Sequence, residues 1–144
     1  MEIETFVLCD AAVDYLGKLS LLGTFDSITA SAYPLVWPHC AVALRLRFSP
    51  VEEGEHKVRI AFIDADGKAF LPPMEGGMAV RFAPGAPTVA ANLILNIQSL
   101  KIERAGEYAI DLAIDGRHEK TLPLYARPRP EKSPPAAGRG PSGN

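Results

Sequence analysis

The chain has little of what catalytic and metal chemistry needs. Its 144 residues hold two cysteines and three histidines, with no C-x-x-C, H-x-H or H-x-x-x-H pair to begin a ligand set. Asp64-Ala65-Asp66-Gly67 opens like a calcium loop but lacks the third oxygen ligand and distal glutamate, so a hairpin turn explains it better. A nucleophile elbow, a P-loop and a dinucleotide fingerprint are all missing. His39-Cys40 and Cys9-Asp10 are adjacent residues of strand-like stretches, so their side chains point to opposite faces and cannot share a proton. A non-enzymatic protein without cofactors is expected.

Charge of one sign is scarce too. With 15 basic and 17 acidic residues the net charge is -2, which supplies no broad positive field for nucleic acid or an anionic membrane. No segment approaches the roughly 20 apolar residues that cross a bilayer. The start, Met1-Glu2-Ile3-Glu4, is acidic and runs into alternation, unlike a secretory leader. The expected setting is the cytoplasm, where Cys9 and Cys40 stay free, buried thiols.

What is present is alternation. Apolar residues make up 47% of the chain, enough for one core and one domain. Period-two stretches predict strands over 3–11, 18–22, 40–48, 56–64, 106–114 and 118–125. The first has Ile3, Val7, Cys9 and Ala11 on its apolar phase, and a helical turn fits around 11–16. Gly23 predicts a bulge, with 24–30 continuing the second strand. Between Pro34 and Pro38 a connection carries Trp37.

The 40–48 stretch sets Leu44, Leu46 and Phe48 against Arg45 and Arg47 on the other face. Asp66-Gly67 and Asp115-Gly116 are tight reversals. Residues 71–87 hold four prolines and three glycines, so a single short strand through Met78, Val80 and Phe82 is expected between loops. Val42, Leu44, Leu46, Val58, Ile60, Phe62, Ile110, Leu112 and Leu122 are the expected core. Gly106-Glu107-Tyr108 predicts a tyrosine corner, glycine permitting the bend and the phenol bonding nearby backbone.

Together these predict an all-β, antiparallel, immunoglobulin-like β-sandwich of seven to nine strands over residues 1–126. Residues 127–144 hold five prolines and three glycines with no aromatic or β-branched residue, a composition expected to stay disordered.

Several segments resemble a family of small bacterial β-sandwich proteins of unknown function. They are Phe6-Val7-Leu8-Cys9-Asp10, the run from Gly17-Lys18 through Gly23-Thr24-Phe25 to Ile28, Leu44-Arg45-Leu46-Arg47, and Gly106-Glu107-Tyr108 with Pro123-Leu124. The resemblance spans residues 3–126 and implies a sandwich and a bacterial source. It implies no activity and no catalytic residue.

Three functions compete. The first is protein contact, with a partner protein or with a second copy as a homodimer. Residues 88–98 are apolar on both faces, and Ala90, Asn92, Ile94 and Asn96 form the outer face expected to be the interface. The second is a small-ligand module whose loops 30–38 and 71–87 bring Tyr33, Trp37 and Met74 into a pocket. The third is a metal-dependent hydrolase built on Asp10, Asp14 and Asp26. Asp10 is also expected to pair with Lys18 across a bend.

Overall fold

A computed structural model describes residues 1–130, and nine strands pack there as two curled, mostly antiparallel sheets. In chain order they are β1 (Glu2–Tyr15), β2 (Lys18–Thr24), β3 (Ser27–Ala30), β4 (Leu35–Phe48), β5 (Gly54–Asp64), β6 (Ala69–Val80), β7 (Val89–Ile102), β8 (Gly106–Ile114) and β9 (Arg117–Pro128). The first sheet runs β2-β1-β4-β7 and the second β3-β9-β8-β5-β6.

The core lies between the sheets. Phe48, Phe62, Leu44, Leu46, Ile110 and Leu112 are fully buried there, and no polar or charged residue is buried among the described residues. Of the nine core residues expected from alternation, eight are buried and Leu122 is half-buried against them. Arg45 and Arg47 lie on the outer face, as their phase requires. One pair departs from the antiparallel pattern: β3 and β9 are parallel, Ser27 facing Tyr125 and Ala30 facing Pro128.

β1 differs from its apparent alternation because of one residue. Ile3 pairs with Leu46 but Thr5 with Arg45, which makes Glu4 a bulge. A single inserted residue exchanges the faces of everything after it. Phe6 and Leu8 therefore enter the core, while Val7 and Cys9 turn to the outer face. Cys40 stays on the core side. The two thiols occupy opposite faces of one sheet and are free.

The segment expected as a helical turn is strand. β1 continues to Tyr15, pairs there with β2, and reverses through Leu16 and Gly17 at φ 52° and 79°, a two-residue turn of the primed type. Residues 24–30 do not continue β2, because the chain crosses between sheets at Phe25-Asp26 and starts β3. Trp37 lies within β4, and β6 runs through Pro72 and Pro73. Prolines are admitted in β6 because it is an edge strand and because its register with β5 shifts between Ile60 and Phe62, opposite Pro72-Pro73, where the ladder is already interrupted. β9 extends two residues past 126, and the Arg129 N–H donates to the Ala30 carbonyl at 2.8 Å. The rest of the expected tail, 131–144, lies outside the described residues.

Candidate functional site

The outer face of the first sheet carries the densest polar network among the described residues. Glu4, pushed outward by its bulge, stands between Arg45 and Arg47 and accepts from both, at 2.9 Å from the Arg45 Nε. The Arg47 guanidinium, with Arg45 beside it, holds the Glu4 carboxyl below its usual range. Arg45 also donates to Asn92 Oδ1 at 3.0 Å and to the Gly17 carbonyl at 3.2 Å. Asn92 donates to the same carbonyl at 3.2 Å, and the Gly17 N–H donates to Asp14.

These bonds hold the β1–β2 hairpin across β4 toward β7. Beneath it Cys9, Ala41 and Ala43 are fully buried, with Val7, Ala12, Leu19 and Ile94 packed around them. Small residues at 41 and 43 let the hairpin approach β4 closely. Burial pushes the Cys9 thiol up, and burial likewise carries Cys40 up to about 11. Neither is an activated nucleophile.

The hairpin buries one face and exposes the other. Val13, Tyr15, Leu16 and Leu22 are 56%, 67%, 82% and 68% exposed. Ala11 pairs with Leu22 and Val13 with Ser20, so Val13, Tyr15 and Leu22 share a face, with Leu16 at the tip.

Beside this lies the seam where β7 and β6 bring the two sheets together. A cleft of about 90 Å³ opens there, lined by Val58, Ile60, Met74, Leu93 and Leu95 among others. Among the described residues β7 pairs only with β4, so its other edge presents unpaired backbone groups.

Of the expected interface, Asn92 and Ile94 are engaged by the chain's own hairpin, Ala90 is half-buried and Asn96 is exposed. Tyr33, Trp37 and Met74 do not converge. The Tyr33 hydroxyl donates to the Arg127 carbonyl at 2.7 Å, and Trp37 packs against Phe25 with ring centroids 6.0 Å apart. Trp37 pairs with Leu100, whereas Met74 sits by Leu93 and Leu95, some five to seven residues or about 17–24 Å along β7.

Asp10, Asp14 and Asp26 do not gather either. Asp10 lies over Gly23, Asp14 turns to Gly17 and Asn92, and Asp26 sits at the crossing between sheets. No group of three metal-ligating side chains occurs among the described residues. Nor do Asp10 and Lys18 pair: Lys18 faces Tyr15, five residues or about 17 Å along the strand from Asp10. Asp64 accepts from the Asp66 and Lys68 backbone N–H groups, both at 2.9 Å, which makes it a turn residue. The Tyr108 hydroxyl donates to the Arg104 carbonyl, four residues upstream, at 2.6 Å.

Sequence reasoning missed His56, which looks like an ordinary surface histidine. Its Nδ1 lies 2.7 Å from Asp115 Oδ2 and its Nε2 2.6 Å from the Glu52 carbonyl oxygen. Two acceptors require two donors, so the imidazolium fits here, and the Glu52 carbonyl, then Asp115, raise its pKa. With both nitrogens occupied it fastens the β8–β9 turn and cannot serve as a general base.

No curated protein matches the chain. Among solved structures it is similar to the Pseudomonas fluorescens alkylpurine DNA glycosylase AlkC bound to DNA containing an abasic site analog. The TM-score is 0.50 at 9% identity, over 88% of this chain and 30% of that one. The chain thus spans less than a third of the solved protein, and at that identity the likeness is one of fold. A family of unknown function, DUF6941, matches residues 4–127, and the chain belongs to that family.

Proposed function

We propose that this is a non-enzymatic, immunoglobulin-like β-sandwich of the bacterial cytoplasm that acts by binding other proteins. The observation that carries the reading is the uncovered apolar face of the hairpin, formed by Val13, Tyr15, Leu16 and Leu22. Contiguous exposed apolar residues beside charge mark contact surfaces on soluble proteins, and Lys18, opposite Tyr15, lies at the edge of this one. A hairpin already fixed by the Arg45–Gly17–Asn92 bonds presents that face with little further ordering to pay for.

The immunoglobulin-like reading is supported by the Tyr108–Arg104 bond, whose geometry is that of a tyrosine corner. Two buried free thiols suit a reducing compartment. DNA is not proposed as a partner, because the likeness to the glycosylase is one of fold and the net charge is -2.

The test replaces Tyr15, Leu16 and Leu22 together by serine. All three are exposed, so the unfolding free energy should stay within about 0.5 kcal/mol for each change. The protein recovered with the wild-type chain from its source cells is purified and titrated against both forms. At least tenfold weaker binding to the variant is expected; equal affinity would move the contact elsewhere.

A further inference from the structure

Four strands end the two sheets, and three of them are blunted against pairing. β3 covers only Ser27–Ala30, β2 is short and carries Lys18 and Gly23, and β6 holds Pro72, Pro73, Gly76 and Gly77. Short length, lysine, proline and glycine are the usual devices that keep an edge from recruiting another strand. β7 has none of them. It runs from Val89 to Ile102 without proline or glycine, and its first charged residue is Lys101.

The sequence at the middle of this edge reads the same in both directions: Asn92-Leu93-Ile94-Leu95-Asn96. Antiparallel pairing of identical strands about a two-fold axis sets residue i against the residue equally far beyond the centre. Centred on Ile94, it opposes Asn92 to Asn96, Leu93 to Leu95 and Ile94 to itself. Asn92, already held by Arg45 and the Gly17 carbonyl, then lies opposite the exposed Asn96, and each leucine on the core side meets a leucine. No like charges meet, since Val89–Ser99 carries none.

The regular stretch also fits this centre. Leu93 and Leu95 pair with Leu44 and Val42 and face the core, and regularity ends where Ser99 takes φ 58°. Pairing about Ile94 therefore uses Ala90–Gln98 of each copy and stops short of the irregular residue. The cleft at Met74, Leu93 and Leu95 opens beside the same edge, where the apolar side chains of an added strand would extend the core.

We infer that the free edge of β7 pairs with β7 of a second copy, antiparallel and centred on Ile94, joining two four-stranded sheets into one. The proposal is independent of the hairpin face. A second copy fits better than the chain's own residues 131–144, which include Pro134, Pro135 and Pro141 and so lack the donors a ladder needs.

Sedimentation velocity and register-specific cross-linking test it on the full chain. Wild type at high micromolar concentration should sediment at about twice the 15.5 kDa of one chain. Ala90→Cys and Gln98→Cys chains, mixed and oxidised, should give a covalent dimer because the register opposes these positions. Either variant alone should give none, its two new thiols being about 27 Å apart. Cys9 and Cys40 are fully buried and do not compete.

Amide exchange of the wild type provides a measurement free of substitutions. Protection of those Ala90–Gln98 amides that point away from β4 should fall on dilution, at least tenfold, while that of the amides bonded to β4 and of β8 stays constant. A monomer at high concentration overturns the inference, as does a dimer that cross-links no better in the mixture than in either variant alone. Neither result bears on the hairpin as a surface for other proteins.

Discussion

His56 has an acceptor at each ring nitrogen, so its contribution to stability depends on pH in a stated direction. Its folded pKa lies above 6.5, which makes the contribution complete below that value and lost as pH rises through the raised one. Asp115 is held below 3.8, first by the Lys57 N–H and then by His56, so its contribution is lost only as pH falls through that lowered value. The window of full effect lies between the two ordinary values. Replacing His56 by glutamine should lower the melting temperature by about 3 °C at about pH 6, equivalent to roughly 1 kcal/mol for partly exposed charge-assisted bonds. The deficit should shrink as pH rises above 6.5 and through the raised pKa. A deficit that stays constant from pH 5 to 9, measured by calorimetry at about half-unit steps, would mean the ring is neutral in the folded protein.

Strands were legible where burial and alternation agree. β5 and β8 alternate without interruption and pack one face on the core, so their register could be read from Val58, Ile60 and Phe62 and from Ile110 and Leu112. β1 was not legible past its start, because Glu4 is a polar residue in a polar place and nothing in a sequence marks it as the inserted one. Its mark is the pair of arginines it meets on β4, which is a tertiary relation. The hairpin face was hidden for the same reason. Gly23 lends itself to a test, since it has φ 68° and an added Cβ would lie 2.4 Å from Asp10 Oδ2. Gly23→Ala should cost about 1–2 kcal/mol through the left-handed backbone alone, with the contact adding to it. Adding Asp10→Gly should recover only the contact part in urea denaturation. Full recovery would show that the backbone conformation is unimportant there.

The two sheets are tied together at the crossing of Phe25-Asp26, where the chain leaves the first and adds β3 to the far edge of the second. β3 is too short to hold itself, and its only strand partner among the described residues is the end of β9. The pairs Ser27–Tyr125 to Ala30–Pro128, the Arg129–Ala30 bond and the Tyr33–Arg127 bond all depend on residues after Leu124. Composition placed the end of the domain at 126 because prolines and arginines begin there; it could not show that a parallel pairing uses two of those residues. A chain ending at Pro130 should melt within about 2 °C of the full chain, since what it loses has no aromatic or β-branched residue to bury. A chain ending at Leu124 should lose on the order of 5 kcal/mol, from uncovering Ile28 and deleting Ala126 together with several backbone bonds. That is comparable to the whole stability of a domain this size, so loss of the cooperative transition is expected in thermal denaturation. Cooperative melting of the Leu124 chain near the full-length midpoint would show that β3 is dispensable and that the sheets are held by the core alone.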